Sequence, residues 1–160
     1  ETDAYKWEDD VIMTPYISVA NAQLYFNERL HTDAWDDASD TDKLKALIMS
    51  TRAIDKLNFL GEKADSAQEL QFPRGDDLNV PVAIQEATCE LAMRFLDDID
   101  ADIEIENVRI QENSISSINN TYDARVVADY VLAGIPSPTA WHLLAPYLRD
   151  SREMNITRAT

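Results

Sequence analysis

The side chains that could carry catalytic chemistry are few and stand apart. Cys89 lies inside an apolar run, so it is expected to be a small core side chain. His31 and His142 have no partner at a spacing typical of a catalytic dyad or a zinc site, and no nucleophile elbow or phosphate-binding loop occurs. The sequence predicts no catalytic residue, and we expect a protein that is not an enzyme.

One acidic stretch has a spacing that resembles a calcium-binding loop. Asp98, Asp100 and Asp102 alternate in the way that such a loop requires. However, Ile103 stands where a glycine is needed, and Arg109 stands where a bidentate glutamate should bind the ion. We therefore expect no metal site and no cofactor.

The formal net charge of -16 is the strongest feature of the composition. Acidic residues outnumber basic ones 30 to 14, and the basic residues are scattered singly along the chain. Binding of nucleic acid through many phosphate contacts is therefore disfavoured. Two interpretations remain open: a solvated surface that keeps the protein soluble, or a surface that faces DNA without holding it. No apolar run is long enough to span a bilayer, so we expect no membrane partner.

Two polar residues of the first half are candidates for a structural ion pair. Asp55 falls on the apolar side of a predicted helix, and a buried carboxylate needs hydrogen-bond donors or a cation. Arg74 is the partner that we predict, although Asp55 could also emerge at the edge of its helix. Phe72 and Pro73 precede Arg74, and Gly75 follows it, which is typical of a fixed turn.

The segment 79–97 is the element around which the other elements are expected to pack. Its apolar residues cover roughly 240° of a helix that begins near Pro81. The narrow polar strip that remains consists of Glu86, Glu90, Arg94 and Asp97. A surface helix needs an apolar stripe less than half as wide. Such a helix is either enclosed by its own domain or shared with a neighbouring subunit.

The remaining segments complete a mainly α fold, a small domain of four to five helices with a β-hairpin insertion and extended terminal arms. Helical periodicity covers 18–31, about 41–58 and 123–133, and a last helix begins near 137 and should be kinked or shortened by Pro146. Ser18 offers an N-terminal cap for the first helix, and Ser39, Asp40 or Thr41 can cap the second. Alternating apolar residues predict the hairpin at about 103–122. We thus expect an N-terminal arm at 1–17, a helical domain at 18–148 and a C-terminal arm at 149–160.

Several pieces of this chain resemble the small head-to-tail connector, or adaptor, proteins of tailed bacteriophages. Members of that family are often labelled as DnaT-like single-stranded-DNA-binding proteins. The similar pieces keep the family's order and span about residues 16–148. They are ISVANAQLYFNERL, KLKALIMSTRAIDKLNFLG, QELQFPRG, IQEATCELAM, SISSINNTY and WHLLAPYL, with Ile54-Asp55, Gly61 and Phe72-Pro73-Arg74 among the most specific points.

The resemblance implies a structural virion protein that forms a ring, with twelve copies, in the neck of the phage. Such a ring joins the portal to a tail or nozzle protein and lines the channel through which double-stranded DNA passes during packaging and ejection, without specific binding. The C-terminal arm would dock on the portal, and the turn at Phe72, Pro73 and Arg74 would contact an adjacent subunit. The portal-binding residues would be Arg149, Arg152, Met154, Ile156 and Arg158.

The main alternative is a replication accessory protein that binds single-stranded DNA. Such a protein needs a cationic groove with aromatic rings on which bases stack. Rings occur in the N-terminal quarter, which is acidic, so this alternative is the weaker one from sequence. The rings are those of Tyr5, Trp7, Tyr16, Tyr25, Phe26 and Trp35. A hydrolase is the third and weakest alternative, because the sequence contains no catalytic pattern.

Overall fold

The computed structural model describes residues 13–99, 102 and 129–149, and within these residues the chain is mainly helical, as predicted. No strand occurs in this part of the chain, although Phe59 and Leu148 form an isolated antiparallel bridge. The elements are α1 (Val19–Asn27), α2 (Asp33–Asp36), α3 (Asp40–Asp55), α4 (Val82–Leu96), α5 (Asp129–Leu132), α6 (Pro138–Leu144) and a 3₁₀ turn (Ala145–Tyr147).

Serine side chains cap three of these helices at their N-termini. The hydroxyl oxygens of Ser18, Ser39 and Ser137 accept hydrogen bonds from backbone N–H groups three residues further on, at 3.1 to 3.2 Å. The cap at Ser18 was predicted, and Ser39 was one of three residues predicted as possible caps of α3. The helix α1 nevertheless ends at Asn27, short of the predicted 31, and His31 adopts a φ of 60° that no helix allows.

Helix α4 is the centre of the fold, as the sequence predicts. It packs against α1, α2, α3 and α6, and all residues from Ala87 to Met93 are buried. The same chain therefore covers most of the wide apolar arc, and Val82 is an exception at 68% exposed. The width of this arc no longer argues for a neighbouring subunit.

Two clusters of buried side chains flank α4. The first contains Ile54 from the end of α3 and Ile84 from the start of α4. The second contains Leu47 from the first half of α3 and Ala92 from the second half of α4. These pairings show that α3 and α4 run antiparallel, with one cluster toward each end of the pair.

Some predicted segments need correction, and others fall outside the described residues. Tyr16 and Ile17 are buried, so they belong to the helical domain and not to an N-terminal arm. The chain stops being α-helical at Leu144 before Pro146, as expected, because proline cannot continue the hydrogen-bond ladder. The hairpin at 103–122 and the first part of the helix at 123–133 lie outside the described residues. None of the described helices is long and apolar enough to cross a bilayer.

Candidate interaction surface

The turn at Phe72 faces the interior of its own chain. Phe72 is 3% exposed, and its ring packs edge-on against those of Phe59, Tyr147 and Tyr16, with centroid distances of 4.7, 5.8 and 5.9 Å. The peptide bond between Phe72 and Pro73 is cis. The predicted subunit contact of Phe72 is therefore wrong, because the ring is already used in the core. Contacts of the half-buried Pro73 and Arg74 with another subunit stay predictions.

Arg74 closes this turn with hydrogen bonds to backbone carbonyls. Its guanidinium donates to the carbonyl of Leu60 at 2.9 Å, to that of Gly61, and to both oxygens of Gln71 at 2.8 and 3.2 Å. It also lies 5.9 Å from the ring centroids of Phe59 and of Phe72. The side chain is thus engaged within its own chain and pins the long segment between α3 and α4.

Asp55 forms no ion pair with Arg74, which corrects the prediction. Its carboxylate instead accepts hydrogen bonds from the Tyr16 hydroxyl and, at 2.6 Å, from the Gln71 backbone N–H. Sequence reasoning was right that this carboxylate needs donors, but the donors are neutral. Burial, followed by the contact with Asp55, raises the pKa of the Tyr16 hydroxyl well above its ordinary value.

Glu90 carries a second buried carboxylate, which the sequence placed on the polar strip of α4. It is 3% exposed, and Arg29 contacts both of its oxygens, Nε at 2.6 Å and Nη2 at 2.8 Å. The Tyr25 hydroxyl donates to it at 2.5 Å. Tyr25 and Arg29 stand four residues apart, a helical spacing that could have indicated their joint role. The pair fastens the end of α1 to α4.

The aromatic rings offered for base stacking are engaged in the fold. Tyr16, Phe26 and Trp35 are at most 5% exposed. The Trp35 indole N–H donates to Gln23 at 3.0 Å, and its ring packs on Phe26 with a centroid distance of 4.5 Å. Every aromatic ring in the part of the chain that the structure describes is buried or half-buried. These rings offer no open platform for bases.

Acidic side chains dominate the surface as well as the composition. Within the described ranges, 18 Asp and Glu residues stand against nine Lys and Arg residues. Several of the nine are held by internal contacts, such as Lys43, which is buried 5.3 Å from the Trp35 ring centroid. The exposed cations of α3 and its C-terminal cap are Lys45, Arg52 and Lys56, and the last two lie one turn apart. They are too few to follow a nucleic-acid backbone.

An open groove lies where α2, the first half of α3 and the end of α4 meet, and its volume is about 760 Å³. We name it the acidic groove. Its apolar lining consists of Ala34, Ala38, Ala46, Met49, Phe95 and Leu96. Its charged lining consists of Asp33, Asp37, Asp42, Asp97 and Asp98, with Lys45 as a single cation. The lining thus places apolar side chains beside several carboxylates.

Cys89 is buried, and the described acidic residues do not gather into a metal site. Burial raises the pKa of the Cys89 thiol to about 12. Among the residues that the structure describes, no three His, Cys, Asp or Glu side chains come together in a way that could hold a metal ion.

The predicted portal-binding residues fall mostly beyond the described part of the chain. Arg149 is exposed, and its backbone N–H donates to the carbonyl of Asn58 at 2.9 Å, just past the end of α3. Arg152, Met154, Ile156 and Arg158 lie outside the described residues. Their role on a portal stays a prediction.

Comparison with known proteins gives one family. Residues 13–159 match the family described as "Putative DnaT-like ssDNA binding protein". No curated protein and no solved structure matches the chain. The match favours the single-stranded-DNA-binding alternative over the connector function, which finds no support among these comparisons. Because the match covers most of the chain, the protein belongs to the family described by those words.

Proposed function

We propose that this family member works as a structural subunit that assembles into a ring in the neck of a tailed bacteriophage. The ring would join the portal to a tail component and surround DNA without binding it. One observation carries the proposal: the described surface is acidic and offers no cationic strip with open aromatic rings. Such a surface repels phosphates, which suits a channel through which DNA must slide.

Docking of the C-terminal arm on the portal is part of this proposal. Arg149 is exposed, so the arm that follows it is attached to the domain at a surface position. Removing residues 149–160 should leave a folded subunit that no longer joins portal rings. Attachment that survives the deletion would contradict this role of the arm.

Binding of single-stranded DNA is the second candidate, and the description of the family favours it. Among the described residues, Lys45, Arg52, Lys56 and Arg149 are exposed cations, and Arg52 and Lys56 stand four residues apart, so they could start such a contact together. Stacking would have to come from residues other than Tyr16, Phe26 and Trp35, whose rings are buried. This candidate therefore rests on the family description more than on the surface of this chain.

A titration separates the two functions. A fluorescently labelled oligothymidine is titrated with the protein at about 20 mM salt, where phosphate contacts are strongest. The connector function predicts no saturable change in anisotropy. Tight binding that weakens steeply with salt, and that a variant with Arg52→Glu and Lys56→Glu loses, would establish the alternative.

The mass of the purified protein, measured alone and with portal rings, tests the connector function. The connector function predicts a ring-sized species or a stoichiometric complex with the portal. A protein that stays monomeric both alone and with portal rings, and that binds the oligonucleotide, would overturn the connector function.

A further inference from the structure

Exposed cations gather at one end of α3, although the chain as a whole is acidic. Within the part of the chain that the structure describes, the exposed Lys and Arg side chains are those of Lys45, Arg52, Lys56 and Arg149. Arg52 and Lys56 lie one turn apart at the C-terminal end of α3. The backbone N–H of Arg149 donates to the carbonyl of Asn58, just past Lys56, at 2.9 Å. We name Arg52, Lys56 and Arg149 the cationic end.

An antiparallel bridge holds Arg149 beside α3. The bridge joins Phe59 to Leu148, so the segments that contain Asn58 and Arg149 run side by side. Neighbouring extended segments lie about 5 Å apart, and two residues of chain span at most about 7 Å. The backbone of Arg149 is therefore within about 12 Å of that of Lys56. One partner surface can contact both of these long side chains.

The described part of the chain does not neutralise the cationic end. None of its three side chains forms a salt bridge with a described residue. Asp55 is next to Lys56 in sequence, but its carboxylate accepts from the Tyr16 hydroxyl and the Gln71 N–H. A cation is favourable at a helix C-terminus, which accounts for the two on α3. It does not account for Arg149, which comes from a distant part of the sequence.

An apolar side chain is exposed next to these cations. Leu60 is 47% exposed, and its N–H donates to the carbonyl of Tyr147 at 2.8 Å, beside the same bridge. A partner that fits this surface presents carboxylates to the cations and an apolar side chain to Leu60.

An acidic polypeptide fits the cationic end better than a nucleic acid does. A single strand of DNA needs rings on which its bases stack, and every described aromatic ring is buried or half-buried. Phosphates that follow one another along a strand also need a longer row of cations. Carboxylates of a polypeptide need no stacking platform, and they form charge-assisted hydrogen bonds with guanidinium and ammonium groups.

We propose that the cationic end binds an acidic segment of the portal, beside the point at which the C-terminal arm leaves the domain. The inference rests on the proposed docking of that arm. A portal that holds the arm lies next to Arg149, so Arg52 and Lys56 face the same protein. The contact fixes the orientation of the subunit, because the rest of its surface is acidic and repels an acidic segment.

The test measures the dissociation constant of the full chain for immobilised portal rings at 0.15 M salt. Arg52→Glu combined with Lys56→Glu should raise this constant roughly tenfold or more. Arg52→Gln combined with Lys56→Gln removes the charges, keeps helix propensity and should raise it by a smaller factor. Circular dichroism checks that each variant is folded.

Lys45→Glu is the matched control. Lys45 is an exposed cation of the same helix, so its substitution makes the same kind of charge reversal. It lies about 10 Å from Arg52 along α3, beyond the Debye length of about 8 Å at this salt concentration. The Lys45→Glu chain should therefore bind portal rings as the wild type does.

Each outcome decides between the two proposals. Unchanged binding by the variants at Arg52 and Lys56, or an equal loss per reversed charge in Lys45→Glu, would overturn the cationic end and leave the connector function standing. A wild-type chain that does not bind portal rings would overturn both. Unchanged portal binding together with lost binding of the labelled oligothymidine would assign these cations to nucleic acid instead.

Discussion

The polar side chains beside Phe72 and those of the acidic groove, at opposite ends of the α3–α4 pair, differ in whether they have partners within the chain. At the end that holds Phe72, the Asp55 carboxylate has two donors, and the Arg74 guanidinium donates to oxygens of Leu60 and Gln71. At the end that holds the acidic groove, Asp97 and Asp98 are exposed and form no ion pair in the described part of the chain. The polar groups beside Phe72 have hydrogen-bond partners within the chain, whereas the acidic groove exposes carboxylates and apolar side chains to solvent.

This difference separates residues that maintain the fold from residues that are available to a partner. A closed network of rings and hydrogen bonds loses several contacts when one member is removed. Exposed carboxylates can be exchanged with little effect on folding. Conventional measurements of stability can therefore test whether the two ends differ in this way.

The largest effect is expected at the closed end. Phe72→Ala removes a buried ring that touches three others, and it should lower the free energy of unfolding by about 3–5 kcal/mol. Chemical denaturation followed by circular dichroism measures the change. Leu78→Ala is the matched control and should change stability by less than about 0.5 kcal/mol, because Leu78 is 91% exposed. Equal losses in the two variants would contradict the assignment of Phe72 to the core.

A smaller effect, visible in alkaline solution, comes from Tyr16. The raised pKa of its hydroxyl means that the folded chain keeps a proton that the unfolded chain releases above pH 10. Stability contributed by this tyrosine is therefore complete below the unfolded pKa and falls as pH rises above it. Between pH 10 and 11, the free energy of unfolding should fall by up to about 1 kcal/mol more in the wild type than in Tyr16→Phe. Parallel pH profiles for the two proteins would show that the hydroxyl is not held in this way.

The smallest effect is expected at the acidic groove. Asp97→Lys replaces a carboxylate at a helix C-terminus with a cation, so it should raise the free energy of unfolding by a few tenths of a kcal/mol. Asp42→Asn should instead lower it, since Asp42 accepts from the Ser39 hydroxyl at the start of α3 and from Lys45. The pKa of Asp42 is lowered by these two contacts, that of Ser39 first. Loss of stability in both variants would mean that the groove carboxylates also support the fold.

Local patterns in the sequence were enough to predict the helices but not the contacts between distant polar residues. The apolar arc of the segment 79–97 and the cap at Ser18 depend on neighbours in sequence, and these predictions are confirmed. Ser39 is the one of three candidates that caps α3. The short helix α2 was missed, because a polar four-residue helix has no periodicity to detect. Its position depends on Trp35, which is buried in the second cluster.

The long-range polar contacts could not be chosen from sequence because several donors would have satisfied the same rule. A buried carboxylate at Asp55 predicts a donor, and the donors turn out to be Tyr16 and a backbone N–H. Glu90 lies on the expected polar strip of its helix, yet Arg29 lies close enough to bury it. The acidic groove joins residues 33–49 to residues 95–98, which are distant in sequence, so no local pattern indicates it.

The burial of Cys89 makes this chain convenient for optical experiments. Its thiol is the single one in the sequence, and with a pKa of about 12 it stays protonated and shielded at neutral pH. A maleimide dye would therefore not react with Cys89, and it would label a single cysteine introduced at an exposed position such as Leu78. Single-dye labelling by that route would let photobleaching steps count the copies in an assembly, without first removing a native residue.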